Sequence, residues 1–280
     1  MFTRKRLLAL TVAPVLGCAA FVYGLRWIEF AMTFRPSRMA AAQVIPARAE
    51  NVWFNSADST RLNGWFFASQ TKPELATMIF FHGNGGNISN ISWLAERFAN
   101  HGFNVLIFDY RGYGLSDGVA ANESDLYADG DAAVDFVMNK KGIRSEQIVL
   151  YGHSLGTATV ADVASRRTFA AVVLESGFSS ASSVATSALP WLPRFLHVLG
   201  KNRFESARKL NSIKCPILIA HGDPDPTIPT SEAQLLYAAA NEPKKLLIVP
   251  GAGHVVFGSA GEQYLDQAEQ FMRESIKARQ

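Results

Sequence analysis

The sequence predicts an α/β fold: a mostly parallel, doubly wound sheet that begins with an antiparallel hairpin and follows an N-terminal transmembrane helix. The main observation is that, from about residue 50, short and continuously apolar strands alternate with amphipathic helices. Strands that are apolar along their whole length are typical of a parallel sheet covered on both faces. The chain has 280 residues, of which 48% are hydrophobic and 18% charged, so it can build one large domain with a buried core.

The N-terminal residues 1–38 are predicted to be a membrane anchor and a juxtamembrane segment. Residues 7–25 carry no charge, and 19 helical residues rise roughly 28 Å, close to the hydrocarbon thickness of a bilayer. The basic residues at positions 4–6 favour a cytoplasmic N-terminus, which would place the catalytic domain on the opposite side. Two alternatives stay open: a cleaved signal peptide, and a lipoprotein signal, because Cys18 follows the small residue of "VLG".

The net charge of +3 comes from this N-terminal segment. Residues 1–38 hold six of the 27 basic residues and one of the 24 acidic residues, which leaves 21 basic and 23 acidic for residues 39–280. A nucleic-acid-binding surface needs Lys and Arg clustered on the folded domain. The composition therefore argues against a nucleic-acid partner. Two cysteines are too few for a disulfide framework.

The predicted elements after residue 50 follow one another regularly. "NVWFNS" and "RLNGWFFAS" read as a hairpin around "ADST". Helices are predicted for "SNISWLAERFANHG", ending at Gly102, for "ESDLYADGDAAVDFVMNKKG", closed by Gly142, and from residue 155 to about Arg166. The buried strands are "ATMIFFHG", "FNVLIFDY", "QIVLYG", "FAAVVLESG", "PILIAHGD" and "KLLIVPGAGH".

Polar residues suited to nucleophilic catalysis follow several of these strands. Ser154 lies in "GHSLG" after the third strand, Asp223 and Asp225 follow the fifth, and His254 follows the sixth. The carboxyl ends of parallel strands share one edge of the sheet, so these side chains are expected to converge. A Gly-x-Ser-x-Gly bend with the chain order Ser, Asp, His is the nucleophile-elbow arrangement. The alternative for each residue taken alone is an ordinary turn or core position.

On the motifs "FFHGNGGN", "DYRGYGLSDG", "YGHSLG", "HGDPDPTIP" and "GAGH", the chain resembles the alpha/beta-hydrolase superfamily over roughly residues 50–275. It is most similar to single-span, small-lid lipase-like, acyl-thioesterase-like and serine-aminopeptidase-like members. The resemblance implies a triad of Ser154, Asp225 and His254, and an oxyanion hole from the backbone amides of Leu155 and Asn84. The family spacing favours Asp225 over Asp223, which could instead hold the turn. No cofactor is predicted.

Residues 177–208 are predicted to be a short helical lid inserted between the fourth and fifth buried strands. The segment begins with small residues and becomes apolar and aromatic. In a fold with its site at this edge, such an insertion is suited to cover the site. Trp191, Phe195 and Leu196 are the candidate lining of an acyl pocket; the alternative is that they pack on the domain.

Other polar motifs are interpreted as structural. No histidine pair has metal-ligand spacing, so no metal is predicted, and "GNGGN" lacks the Lys-Ser/Thr of a phosphate-binding loop. His82 is expected to support the oxyanion loop, and Asp109 and Arg111 to form an ion pair in a turn.

These observations predict a serine hydrolase that cleaves carboxylic ester or thioester bonds, with small acyl-ester, thioester or lipid-like substrates near a membrane. The first alternative is an amidase or aminopeptidase using the same triad, although Glu205 is the one acidic residue in the insertion that could hold a substrate amine. The second is a non-catalytic binding protein on the same fold.

Overall fold

The computed structural model describes residues 4–38, 44–191, 193 and 200–279. In this part of the chain, eight strands form a single sheet. The strands are β1 (Ala49–Asn55), β2 (Arg61–Phe67), β3 (Ala76–Phe81), β4 (Phe103–Phe108), β5 (Ile148–His153), β6 (Ala171–Glu175), β7 (Ile217–Asp223) and β8 (Lys244–Pro250).

The strand order is β1-β2-β4-β3-β5-β6-β7-β8. β1 and β2 form the predicted hairpin, and β2 pairs antiparallel with β4. Every later neighbour is parallel. The predicted mostly parallel sheet with an N-terminal antiparallel hairpin is therefore confirmed. Because β3, β5, β7 and β8 all run the same way, the loops that leave them emerge at one edge.

Helices cover both faces of the sheet. α2 is followed by Gly102 at φ 99° and α3 by Gly142 at φ 69°, as the sequence predicts for helix ends that need a left-handed residue. The helices are α1 (Arg4–Thr33), α2 (Ser92–Asn100), α3 (Glu123–Lys140), α4 (Leu155–Arg166), α5 (Ala181–Ala188), α6 (Ser206–Leu210), α7 (Ser231–Ala239), α8 (Val256–Ser259) and α9 (Gly261–Lys277).

Two layers of core explain why the central strands are apolar throughout. Ile79 and Leu150 belong to the layer that packs against α3 and α4, while Met78 and Tyr151 belong to the layer that packs against α2 and α9. Successive residues of a strand point to opposite faces, so a strand buried on both sides has no polar face. All residues of β3, β4, β5 and β6 are buried, whereas the edge strand β1 is mostly exposed or half-buried.

The N-terminal segment is helical, but its predicted passage through a membrane is not confirmed. Residues 7–25 lie within α1. Over the ranges of the chain given above, no helix combines the length and the apolar character that crossing a bilayer requires.

The predicted lid at residues 177–208 contains α5 and the start of α6. Phe195 and Leu196 lie outside the described residues. Trp191 is 75% exposed, so its side chain does not pack into the domain.

Candidate active site

Ser154 occupies a strained turn between β5 and α4. Its φ of 52° and ψ of −119° lie in a region that non-glycine residues rarely adopt. The flanking glycines permit close packing there. A Cβ on Gly156 would lie 2.0 Å from the carbonyl oxygen of Phe81, and one on Gly152 would lie 2.8 Å from the backbone of Gly156. The sequence motif thus reflects a steric requirement.

The turn places Ser154 beside His254 and Asp225. Ser154 Oγ lies 2.9 Å from His254 Nε2, and His254 Nδ1 lies 2.8 Å from Asp225 Oδ2. The three residues follow β5, β8 and β7, so strands that are distant in sequence bring them together. The side chain of Asp225 is fully buried, while that of His254 remains 17% exposed. A buried acid, a reachable imidazole and a hydroxyl in this order can transfer a proton.

Both oxygens of Asp225 are engaged. Oδ1 accepts the backbone amides of Thr227 at 2.8 Å and Ile228 at 3.0 Å, and Oδ2 lies 3.1 Å from His221 Nε2. Burial favours a higher pKa for Asp225, but the hydrogen bonds from the two histidines and the two amides outweigh it and hold the pKa well below its usual range. Asp225 is therefore a carboxylate at neutral pH.

Asp223 does not take the turn-holding role that the sequence left open. It is exposed, and its Oδ1 lies 3.5 Å from Thr230 Oγ1. Asp225 accepts the turn's amides itself while it also contacts His254. Of the two carboxylates, Asp225 is thus the one within hydrogen-bonding distance of His254.

The glycine-rich loop 82–87 that follows β3 adjoins the nucleophile. A Cβ on Gly83 would lie 3.3 Å from Ser154 Cβ. Asn84 is the next residue in this loop, and Leu155 begins α4, where the first amides have no partner within the helix. The assignment of the Leu155 and Asn84 amides to an oxyanion hole stays a prediction.

His82 supports this loop as the sequence predicts. Its Nδ1 donates to the carbonyl oxygen of Gly83 at 2.7 Å. Burial lowers the pKa of His82 to about 4, so the ring is neutral at physiological pH. A neutral ring with one donor nitrogen is suited to holding a carbonyl and not to carrying charge.

The predicted ion pair between Asp109 and Arg111 is wrong. Arg111 Nη2 lies 2.7 Å from Asp129 of α3, and the amide of Arg111 also donates to Asp129 at 2.9 Å. Asp109 Oδ1 instead accepts the amide of Ile88 at 3.0 Å. Burial raises the pKa of Asp109 to about 8, so this group is a neutral acid at pH 7. The sequence could not show that Asp129 of α3 would lie beside Arg111.

Sequence reasoning missed Glu175, the last residue of β6. Its buried carboxylate accepts the amides of Val256 at 3.0 Å and Phe257 at 3.3 Å, which follow His254. Its backbone carbonyl accepts the amide of Ser154 at 2.9 Å. Glu175 therefore links the nucleophile turn to the histidine loop. The available signal was an acidic residue at the end of a continuously apolar strand.

Comparisons with known proteins agree with this architecture. A family described as "Serine aminopeptidase, S33" matches residues 72–206. The chain is 35% identical over 245 residues to the uncharacterized protein YfhR of Escherichia coli K12, covering 82% of this chain and 83% of that protein. It is also 34% identical over 201 residues to alpha/beta hydrolase domain-containing protein 17B of Xenopus laevis, covering 71% and 67% of the two chains.

Among solved structures, the esterase Pf2001 of Pyrococcus furiosus superposes with a TM-score of 0.71 at 20% identity, covering 87% of this chain and 98% of that one. At this identity the similarity concerns the fold. The sheet order, the strained turn at Ser154 and the sequence relatives lead to one assignment: the chain belongs to the alpha/beta-hydrolase superfamily.

Proposed function

We propose that this protein is a serine hydrolase that cleaves carboxylic ester or thioester bonds through an acyl-enzyme on Ser154. The observation that carries the proposal is the chain of contacts from Ser154 Oγ to His254 Nε2 at 2.9 Å, and from His254 Nδ1 to Asp225 Oδ2 at 2.8 Å. A serine hydroxyl is a weak nucleophile until a base accepts its proton. His254 is positioned for that step, and ionised Asp225 would stabilise the imidazolium.

The reaction proceeds in two halves. Ser154 Oγ attacks the acyl carbonyl carbon as His254 takes its proton, and the amides of Leu155 and Asn84 stabilise the oxyanion. The C–O or C–S bond then breaks, and His254 gives the proton to the leaving alkoxide or thiolate. A water molecule, deprotonated by His254, attacks the carbonyl carbon of the acyl-enzyme. The bond between that carbon and Ser154 Oγ breaks, His254 returns the proton to Oγ, and the carboxylic acid leaves.

The proposed substrates are acyl or lipid-like esters and thioesters. The apolar composition of the insertion supports this class, and Trp191, Phe195 and Leu196 are the residues proposed to contact the acyl chain. The name of the Pyrococcus esterase is consistent with ester cleavage.

Trp191→Ala should raise KM for long-chain p-nitrophenyl esters and leave KM for the acetyl ester unchanged. Equal effects on both chain lengths would argue against an acyl contact.

We further propose that residues 1–38 keep the enzyme at a membrane. The uncharged residues 7–25, the basic residues 4–6 and the exposed side chains of Phe21 and Trp27 support this location. Membrane fractionation and protease accessibility of intact cells test it. A free soluble chain would contradict it, and mass spectrometry would identify a lipid on Cys18 or a cleaved N-terminus.

An amidase or aminopeptidase is the second candidate, favoured by the name of the matching family. An aminopeptidase needs an anionic group to hold the substrate amine. Glu205 is already paired with Arg208 at 3.4 Å and lies 4.0 Å from Arg203. Esters are therefore preferred over aminoacyl amides, and a panel of both substrates decides between them. A non-catalytic binding protein is the third candidate.

A fluorophosphonate probe tests whether the protein is an enzyme of this type. The wild type should be labelled on Ser154, and Ser154→Ala should abolish labelling and lower turnover of short acyl esters by about four to six orders of magnitude. Ser231→Ala, an exposed serine at the start of α7, is the control and should label fully. An unlabelled, correctly folded wild type would leave the binding-protein hypothesis.

A further inference from the structure

Residues 29–38, here called the strap, comprise the last turn of α1 and the chain that follows it. They lie in the segment that the sequence assigns to an anchor and its linker. In the structure, the strap contacts three loops at the edge of the sheet where Ser154 lies.

The first contact is with the oxyanion loop 82–87. The backbone amide of Arg35 donates to the carbonyl oxygen of Asn84 at 3.2 Å, and the hydroxyl of Tyr113 donates to the same oxygen at 3.0 Å. Asn87 Nδ2 donates to the carbonyl oxygen of Ser37 at 3.3 Å. The strap therefore holds the loop at two points, close to the amide proposed to bind the oxyanion.

The oxyanion loop needs such support because of its composition. Gly83, Gly85 and Gly86 surround Asn84, and glycine leaves the backbone free to take many conformations. An oxyanion donor is effective only if its N–H direction is set before the charge develops. The carbonyl of Asn84, fixed by two donors, restrains the backbone on either side of this residue.

The strap is itself attached at both ends. The carboxylate of Glu29 accepts the amides of Lys201 and Asn202, each at 2.7 Å, where the inserted segment returns to the domain. Phe34 is buried in the core, and Arg38 Nη1 donates to the carbonyl oxygen of Ser116 at 2.5 Å. These attachments fix the strap to the domain, so the strap can hold the oxyanion loop in place relative to the domain.

We propose that the strap positions the oxyanion loop, so that the N-terminal segment is a working part of the active site as well as a tether. The inference rests on the proposed function. Its positioning residues are Arg35, which acts through the backbone of Asn84, and Glu29, which attaches the strap to residues 201–202 at the end of the insertion. Displacing the strap should weaken stabilisation of the transition state and leave substrate binding nearly unchanged.

The test uses the full chain with three substitutions. Arg35→Pro removes the backbone amide that donates to the carbonyl oxygen of Asn84, and Tyr113→Phe removes the second donor to that oxygen. Glu29→Gln replaces the carboxylate that accepts the amides of Lys201 and Asn202, where the inserted segment rejoins the domain. Tyr23→Phe is the matched control for Tyr113→Phe, because Tyr23 is 72% exposed. The readouts are kcat and KM for p-nitrophenyl butyrate, and amide hydrogen exchange of residues 82–90.

We expect kcat to fall about 10-fold in Tyr113→Phe and Glu29→Gln and about 10- to 100-fold in Arg35→Pro, with KM within about 3-fold of wild type. Hydrogen exchange of residues 82–90 should accelerate while that of β5 stays unchanged. If Arg35→Pro does not fold, Glu29→Gln decides the question, because Tyr113 lies outside the strap and Tyr113→Phe reports only on the support of the Asn84 carbonyl.

Two results overturn the inference in distinguishable ways. If the wild type turns over the ester while these variants match it in kcat and exchange, the strap does not position the loop. If the folded wild type neither labels with fluorophosphonate nor turns over the ester, the proposed function fails and the inference fails with it.

Discussion

His254 Nδ1 lies 2.8 Å from Asp225 Oδ2, whereas the exposed Asp223, two residues earlier, lies near Thr230. The two aspartates thus form a matched pair for mutagenesis. Asp225 also holds its own turn: Oδ2 contacts His254, while Oδ1 accepts the backbone amides of the turn.

Asp225→Asn should lower kcat for short acyl esters by about four orders of magnitude, because an amide NH₂ facing His254 favours the wrong tautomer. Asp223→Asn should change kcat less than about 3-fold, as expected for an exposed surface substitution. Steady-state kinetics on both variants make the comparison. A large loss in Asp223→Asn with an active Asp225→Asn would reverse the assignment.

The buried carboxyl of Asp109 should give the protein a pH-dependent stability. Its folded pKa is about 8, against roughly 3.9 in an unfolded chain. Between these values the folded state holds a proton that the unfolded state has lost, so stability falls as pH rises from about 4 to 8, by up to about 1.4 kcal/mol per pH unit.

Asp109→Asn mimics the protonated acid, so its free energy of unfolding should decrease less between pH 5 and pH 8 than that of the wild type. Urea denaturation at four pH values measures this difference, with the exposed Asp223→Asn as control. Parallel curves for wild type and Asp109→Asn would mean that Asp109 is ionised in the folded state.

Glu175→Gln tests the link between the nucleophile turn and the histidine loop. Oε1 of Glu175 accepts the amides of Val256 and Phe257, and Oε2 accepts the hydroxyl of Tyr151. An amide NH₂ in place of either oxygen loses an acceptor, at a cost of about 0.5–1.5 kcal/mol for each hydrogen bond lost. The substitution should lower Tm by several degrees and reduce kcat about 10-fold through misplacement of His254, with KM nearly unchanged. Glu146→Gln, at an exposed position, is the control; an unchanged kcat in Glu175→Gln would restrict Glu175 to stability.

Gly156→Ala should disrupt folding. The new Cβ would lie 2.0 Å from the carbonyl oxygen of Phe81, and its nearest neighbours are all backbone atoms of Phe81 and His82. Backbone atoms in a central strand cannot move aside as a flexible side chain can. Overpacking of a tight core costs about 1–3 kcal/mol or more. Gly253→Ala is the matched control because nothing lies within 4 Å of its Cβ. Urea denaturation compares the two, and equal stability would show that β3 and α4 can separate.

Much of the fold could be predicted because it depends on local patterns. The continuously apolar β3, β4, β5 and β6 indicated a sheet covered on both faces, and Gly102 and Gly142 marked helix ends that adopt positive φ. The glycines around Ser154 indicated a sharp bend because their role is steric and lies within five residues of sequence.

The wrong prediction and the functional residue that was not predicted both depend on the strand order and on which helix faces which loop. Arg111 pairs with Asp129 and not with Asp109, because α3 delivers that carboxylate. Glu175 reaches the histidine loop because β6 lies between β5 and β7.

The sequence alone determined the elements, the bend at Ser154 and the residue types of the site. Only the tertiary structure decided their partners, including the strap's contact with Asn84. The physical reason is that periodicity and turn chemistry act over a few residues, whereas hydrogen bonds such as that from Ser154 to His254 join residues 100 positions apart and depend on how the whole chain packs.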